Sequence, residues 1–108
     1  MPWINTETDV LIKSPAERFY IGFDFEDSLS AGETIDVSKT EIKVYKVSTM
    51  EEVENDIIDR TEIYYKDDKI VIFPIYGGEP NTWYLLKVKI ETSLGNVFEA
   101  QRRIRIEG

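Results

Sequence analysis

The fold of this chain is decided by residues 83–92 (WYLLKVKIET), 93–95 (SLG) and 96–106 (NVFEAQRRIRI). Apolar residues occupy alternate positions in both long segments. The first segment has Tyr84, Leu86, Val88 and Ile90, and the second has Phe98, Ala100, Ile104 and Ile106. A period of two is typical of a strand with one buried and one exposed face. The stretch therefore predicts a long β-hairpin.

The tripeptide between the two segments fixes the register of this hairpin. A three-residue loop needs a residue in the left-handed region, and Gly95 supplies it. Thr92 then faces Asn96, and both apolar sets lie on one side of the hairpin. Arg102 conflicts with this pattern, since it falls on the buried face opposite Leu86. A bulge at this point or a partly open end of the sheet would accommodate it.

The other side of the hairpin is polar and aromatic. In the same register Lys89 faces Glu99, which predicts a modest charge pair. Trp83 faces Arg105, which predicts a cation–π contact. We therefore expect the exposed side of this hairpin to carry specific side-chain pairs.

Length and composition limit the function. The chain has 108 residues, so one domain is expected. It contains no cysteine and no histidine, which excludes disulfides, thiolate metal sites and catalysis by serine–histidine or cysteine–histidine pairs. The net charge of −8 argues against nucleic acid as a partner. We expect no enzymatic activity and no cofactor.

Two further expectations concern localisation. No apolar run approaches the length that spans a membrane. The first residues lack the basic and apolar regions of a secretory signal, so synthesis in the cytoplasm is expected. Residues 1–8 are predicted to form an N-terminal arm, and residues 9–108 one folded domain.

Shorter strands precede the long hairpin. Alternating or apolar patterns predict them at residues 9–13, 18–25, 34–38, 41–47, 62–65 and 69–75. Residues 49–52 could open a short helix with Thr49 as its cap. Because residues 55–58 do not sustain helical spacing, residues 49–59 are instead predicted as an irregular loop or a poor extra strand.

About seven short strands with turns between them predict an all-β fold, an immunoglobulin-like antiparallel β-sandwich. Tyr84 stands at the head of the penultimate strand, where such sandwiches place a tyrosine corner. Gly77 and Gly78 precede it in a turn-rich crossing. No P-loop lysine or helix start follows them, so they are interpreted as turn residues and not as a phosphate site.

Carboxylates offer a weak alternative. Asp24, Glu26 and Asp27 could contribute to a calcium site, but their spacing does not match a calcium-binding loop, and a solvated connection explains them. The acidic run within residues 51–59 is interpreted as a solvent-exposed face. We therefore predict no metal site.

Aromatic residues give the best candidates for an interface. Five of them occupy positions that could face outward: Trp3, Tyr45, Tyr64, Tyr76 and Trp83. Amphipathic aromatics are enriched at the centres of protein interfaces, although a small sandwich also exposes some aromatics singly. Both readings stay open here. The predicted interface set is Trp3, Tyr64 and Trp83 together with Arg105.

The order of these features resembles a known family. The segments that carry the resemblance are residues 13–17 (KSPAE), 21–25 (IGFDF), Leu29, 32–35 (GETI), 70–75, 77–78, 83–84, 88–95 (VKIETSLG) and 103–106 (RIRI). Over residues 9–107 the chain is similar to small tailed-phage proteins with an immunoglobulin-like sandwich, often called fiber–tail adaptor or virion structural proteins. These motifs are turns and strands and carry no chemistry.

The resemblance implies a non-enzymatic structural protein of a phage or prophage virion, made in the bacterial host cytoplasm. Its partners would be other virion or tail proteins, and self-association on assembly is left open. An N-terminal arm anchored by Trp3 would become ordered on assembly. The alternative is a surface immunoglobulin-like module that binds a glycan or a protein.

Overall fold

A computed structural model describes residues 10–108 and, before them, the backbone of a two-residue strand. The described residues form nine strands: β1 (Ile4–Asn5), β2 (Val10–Lys13), β3 (Phe19–Asp24), β4 (Glu41–Lys46), β5 (Glu51–Glu52), β6 (Tyr64–Lys66), β7 (Ile70–Ile75), β8 (Thr82–Glu91) and β9 (Val97–Ile106). Seven of these strands have three residues or more, in line with the predicted number.

In residues 10–108 helical structure is limited to single turns. A four-residue helix, α1 (Glu54–Ile57), follows β5, and 3₁₀ turns lie at Glu26–Ser28, Val37–Lys39 and Arg60–Glu62. Within the described part of the chain, no helix is long and apolar enough to cross a membrane.

The strands form two sheets that pack face to face. One sheet has the order β1-β3-β7-β6 and the other the order β2-β9-β8-β4-β5. The predicted all-β sandwich is thereby confirmed. Two edge pairings, β1 with β3 and β2 with β9, are parallel, and the other pairings of the named strands are antiparallel. Each of these two edge strands runs in the same direction as the strand beside it.

The long hairpin has the predicted register. Trp83 pairs with Arg105 and Ile90 with Phe98, and the backbone N–H of Thr92 donates to the carbonyl of Asn96 at 2.8 Å. In this register buried and more exposed side chains alternate along β8, and the other sheet covers the buried ones.

Arg102 is accommodated without a bulge. The pairing of β8 with β9 continues through Leu86 and Arg102, so a bulge does not form. The guanidinium of Arg102 lies 5.7 Å from the ring centroid of Phe23, and its Nη1 donates to the carbonyl of Gln101 at 2.6 Å. Among the described residues β2 pairs with residues 103–106 of β9, so Arg102 lies just beyond the described part of this pairing.

The core lies between the two sheets. The rings of Phe23 and Phe73, one from β3 and one from β7, stack with centroids 5.8 Å apart. Opposite them, Leu86 and Val88 of β8 are fully buried. Burial of each such side chain contributes roughly 1.5–3 kcal/mol.

Two connecting segments differ from the prediction. Residues 34–38 form no regular strand, since Ile35 makes only an isolated bridge to Thr92 before a 3₁₀ turn begins. Residues 49–59 contain β5 and α1, and the helix was not predicted. Ile57 and Ile58 at its end are buried in the core, and Ile58 bridges Ile75.

Candidate docking face

The outer face of the five-stranded sheet brings together residues from distant parts of the chain. The pairing aligns side chains in rows across the strands. One row consists of Ile12, Arg105, Trp83 and Val47. The next consists of Val10, Arg103, Leu85 and Tyr45, and it ends at Glu52 on the edge strand β5. Aromatic, aliphatic and cationic groups therefore alternate on one surface.

Cations lie against the aromatic rings of this surface. The guanidinium carbons of Arg103 and Arg105 lie 5.8 and 5.6 Å from the ring centroid of Trp83. The ammonium of Lys87 lies 5.6 Å from the ring centroid of Tyr45. Such contacts hold long side chains in place, which reduces the entropy that they lose on binding. We call these five side chains the basic face.

The positive charge of the basic face is only weakly compensated. Within the described part of the chain, Lys87 and Arg103 form no ion pair, and Arg105 approaches only Glu107, at 3.8 Å. Neighbouring Lys43 differs, because Glu52 lies 3.4 Å and Glu54 3.9 Å from its ammonium. The basic face thus carries free positive charge on a chain of net charge −8.

Exposed apolar side chains border the basic face. The exposed fraction is 60% for Ile12, 43% for Val47 and 38% for Trp83 itself. Val47 and Trp83 also line a shallow groove of about 250 Å³. An exposed aromatic with apolar neighbours is the arrangement found at the centre of protein interfaces.

The exposed side of the hairpin carries one of its two predicted pairs in full. The cation–π contact of Trp83 with Arg105 is present. Lys89 and Glu99 face each other in the register, but their charged groups form no ion pair. Both groups are exposed, where such a pair gains little over hydration.

Tyr64 lies on the opposite sheet, away from Trp83 and Arg105. Its ring is 6.3 Å from that of Tyr20, and its hydroxyl donates to the Glu62 carboxylate at 2.6 Å. This hydrogen bond raises the pKa of Tyr64 above its ordinary value. The structure therefore brings Trp83 and Arg105 together and separates Tyr64 from them, while Trp3 lies outside the described residues.

The predicted structural residues lie around the crossing loop and the hairpin turn. The backbone N–H of Glu79 donates to the Tyr84 hydroxyl at 3.0 Å, the contact of a tyrosine corner. Gly77, Gly78 and Gly95 have φ values of +61°, +98° and +82°. These values lie in the region that favours glycine.

The burial of one lysine was not predicted from the sequence. Only 1% of Lys13 is exposed, and its ammonium donates to the carbonyls of Gly77 and Ser14 at 2.5 and 2.8 Å. Burial lowers the pKa of Lys13, and nearby Glu17 partly opposes this shift. A lysine at the end of a short apolar strand gives no signal that distinguishes it from an exposed one.

A buried carboxylate was also missed. Glu33 accepts hydrogen bonds from the hydroxyl of Thr92, from the backbone N–H of Ser30 at 2.9 Å and from the side-chain amide of Asn96 at 2.8 Å. These donors, Thr92 first, lower the pKa of Glu33 although burial opposes them. The cluster ties the β3–β4 connection to the turn of the long hairpin, which is a structural role.

In the described ranges no group of three or more acidic residues is arranged to hold an ion. What the basic face offers is recognition by charge, by aromatic surface and by apolar contact.

Comparisons with known proteins concern the family and the fold of the chain. A family model described as "Podophage GP4 fiber-tail adaptor protein gp77" matches residues 13–105. A search of curated proteins finds no match. Among solved structures the chain is similar to mouse CRIg, with 11% identity, a TM-score of 0.51, and coverage of 93% of this chain and 92% of that chain. At this identity the likeness shows an immunoglobulin-like fold alone.

Proposed function

The chain belongs to the family of the podophage GP4 fiber-tail adaptor protein gp77, and from this membership we propose that it works by docking to other proteins of the phage tail, without enzymatic activity. The family gives it a structural role in the virion. The docking mechanism is our inference from the surface of the domain.

One observation carries the proposal. Trp83 is exposed near one end of β8, the central strand of the five-stranded sheet, and the guanidinium groups of Arg103 and Arg105 lie against its ring. The exposed aliphatic side chains of Ile12 and Val47 lie in the same row across the sheet. A monomer gains nothing from leaving this indole in water. Burial against a partner would remove it from water, and Trp is among the residues that most often dominate binding energy.

The rigidity of the domain supports the same role. The residues of the basic face lie on β4, β8 and β9, and Ile12 beside them lies on β2. Continuous strand pairing holds these strands in place. A surface on strands keeps its shape before binding, which lowers the cost of association. An adaptor between two larger assemblies needs such a fixed geometry.

The proposal is tested with a phage from which the gene has been deleted. We expect purified wild-type particles to contain the protein by quantitative mass spectrometry. Particles of the deletion strain should keep their tails and lack fibers in electron micrographs, and a plasmid copy of the gene should restore the fibers. Deletion particles with a full set of fibers would contradict the proposal.

A further inference from the structure

We propose that the basic face, formed by Tyr45, Trp83, Lys87, Arg103 and Arg105, docks an acidic protein surface of the virion. This inference rests on the proposed adaptor function and names the chemistry of the partner. Its structural basis is a concentration of positive charge on one face of an acidic protein.

The charge changes along the hairpin. Near Trp83 the outward side chains of β9 are Arg105 and Arg103, whereas toward the turn they include Glu99. On β8 the outward series ends with Glu91, whose carboxylate lies 3.2 Å from the ammonium of Lys39. The end of the sheet near Trp83 is therefore basic, and the end near the turn is mixed.

Several other exposed cations of the domain lie beside carboxylates. Lys46 lies 2.9 Å from Glu79, Arg60 lies 3.2 Å from Glu54, and Arg18 lies 3.6 Å from Asp59. Lys87 and Arg103 differ from them, because within the described part of the chain they have no ion pair and contact aromatic rings. Carboxylates of a partner would complete this arrangement.

The aromatic contacts favour a protein as the acidic partner. The guanidinium groups lie against Trp83, so a partner that reaches them also covers the indole and the exposed Ile12. A nucleic acid would meet the same cations, but the net charge of −8 would repel its phosphates on approach. A protein surface with carboxylates beside apolar groups would match both the cations and the exposed apolar side chains of this face.

The experiment adds purified protein back to particles of the deletion strain. Incorporation is measured by quantitative mass spectrometry from about 0.1 M to about 1 M NaCl, across which the screening length falls from about 10 Å to about 3 Å. The variants are the double reversal Lys87→Glu/Arg103→Glu and a matched control, Lys66→Glu/Lys69→Glu, at the turn of the opposite sheet. Thermal melts establish that each variant is folded.

We expect the face reversal to lower incorporation at the lower salt concentration by about tenfold or more, since like charges now face each other. The control should stay within about twofold of the wild type, and high salt should weaken wild-type incorporation. If the face reversal does not fold, Lys87→Gln/Arg103→Gln replaces it, with a smaller loss in the same direction.

Three results would overturn the assignment. The first is equal incorporation of wild type and face reversal. The second is a salt-sensitive homodimer in light scattering that the reversal abolishes, since the occupant would then be a second copy. The third is binding of a short DNA duplex that the reversal abolishes. Failure of the wild-type protein itself to incorporate would instead contradict the adaptor function.

Discussion

Tyr84 joins the crossing loop to the long hairpin through a single hydrogen bond. Its ring is buried in the core while its hydroxyl accepts from the N–H of Glu79. The position of this tyrosine was readable from the sequence, because it heads a strand with a clear alternation. Its partner was not readable, because the path of the crossing loop depends on Gly77 and Gly78.

Replacing Tyr84 by Phe tests the corner. The ring stays buried and one acceptor is lost, so the free energy of unfolding should fall by about 1 kcal/mol. Urea denaturation measures the change. The control is Tyr65→Phe, because the Tyr65 hydroxyl makes no hydrogen bond to the described residues. Equal losses in both variants would contradict the role of the Tyr84 hydroxyl.

Glu33 makes the stability of the domain depend on pH. Hydrogen bonds from Thr92, Ser30 and Asn96 hold the pKa of its carboxyl below the ordinary value of 4.5 in the folded state. The folded state therefore releases this proton more readily than the unfolded state does. The stabilisation is present above pH 4.5 and is lost as the pH falls through the lowered pKa.

The variant Glu33→Gln isolates this contribution. At pH 7 it should melt at a lower temperature than the wild type, because an amide cannot accept from all three donors. As the pH falls from the ordinary pKa towards the lowered one, the two melting temperatures should converge, since the unfolded state binds the proton first and the folded wild-type carboxyl is protonated only below its lowered pKa. Melting curves measured by circular dichroism between pH 7 and pH 3 check this. A constant difference across that range would argue against a buried carboxylate at this position.

Among the elements, the long hairpin was predictable in detail and the short ones were not. Its two ten-residue strands carry a strong alternation, and Gly95 marks the turn, so the register followed from local chemistry. The one-turn helix α1 is too short to show a period. Its residue Ile57 is buried because the sandwich leaves space there, which the local sequence does not encode.

Two glycines test how backbone conformation and space contribute to these turns. A Cβ at Gly95 would meet nothing within 4 Å, whereas one at Gly78 would lie 2.7 Å from the Cγ1 of buried Ile106. Gly95→Ala should cost about 1 kcal/mol, for the left-handed backbone alone. Gly78→Ala should cost about 1–3 kcal/mol more, because the core is already filled. Chemical denaturation of both variants measures the difference, and equal costs would contradict the packing at Gly78.

For the whole molecule, composition and strand pattern predicted the class of fold, and the resemblance pointed to the virion. The residues of the basic face and of its apolar border could be predicted only in part. Trp83 and Arg105 are opposite each other in the hairpin register, so local reasoning found that pair. Ile12 and Tyr45 join them through β2 and β4, and no local pattern indicates which strand will lie beside a hairpin.

The segregation of charge is also a property of the folded molecule. The sequence shows a net charge of −8 without indicating where the positive groups collect. Strand pairing places Lys87, Arg103 and Arg105 on one face and leaves Tyr64, another predicted interface residue, on the opposite sheet. If Tyr64 takes part in assembly, it must meet a different partner, as an adaptor between two structures allows.

The most direct test of the account is a cryo-electron microscopy reconstruction of the virion at a resolution that traces this domain. The account predicts an immunoglobulin-like sandwich between tail and fiber, with Trp83 buried and carboxylates of the contacting protein beside Arg103. A sandwich whose Trp83 faces solvent would contradict the proposal that the basic face docks a partner. A particle that lacks the chain would contradict the account as a whole.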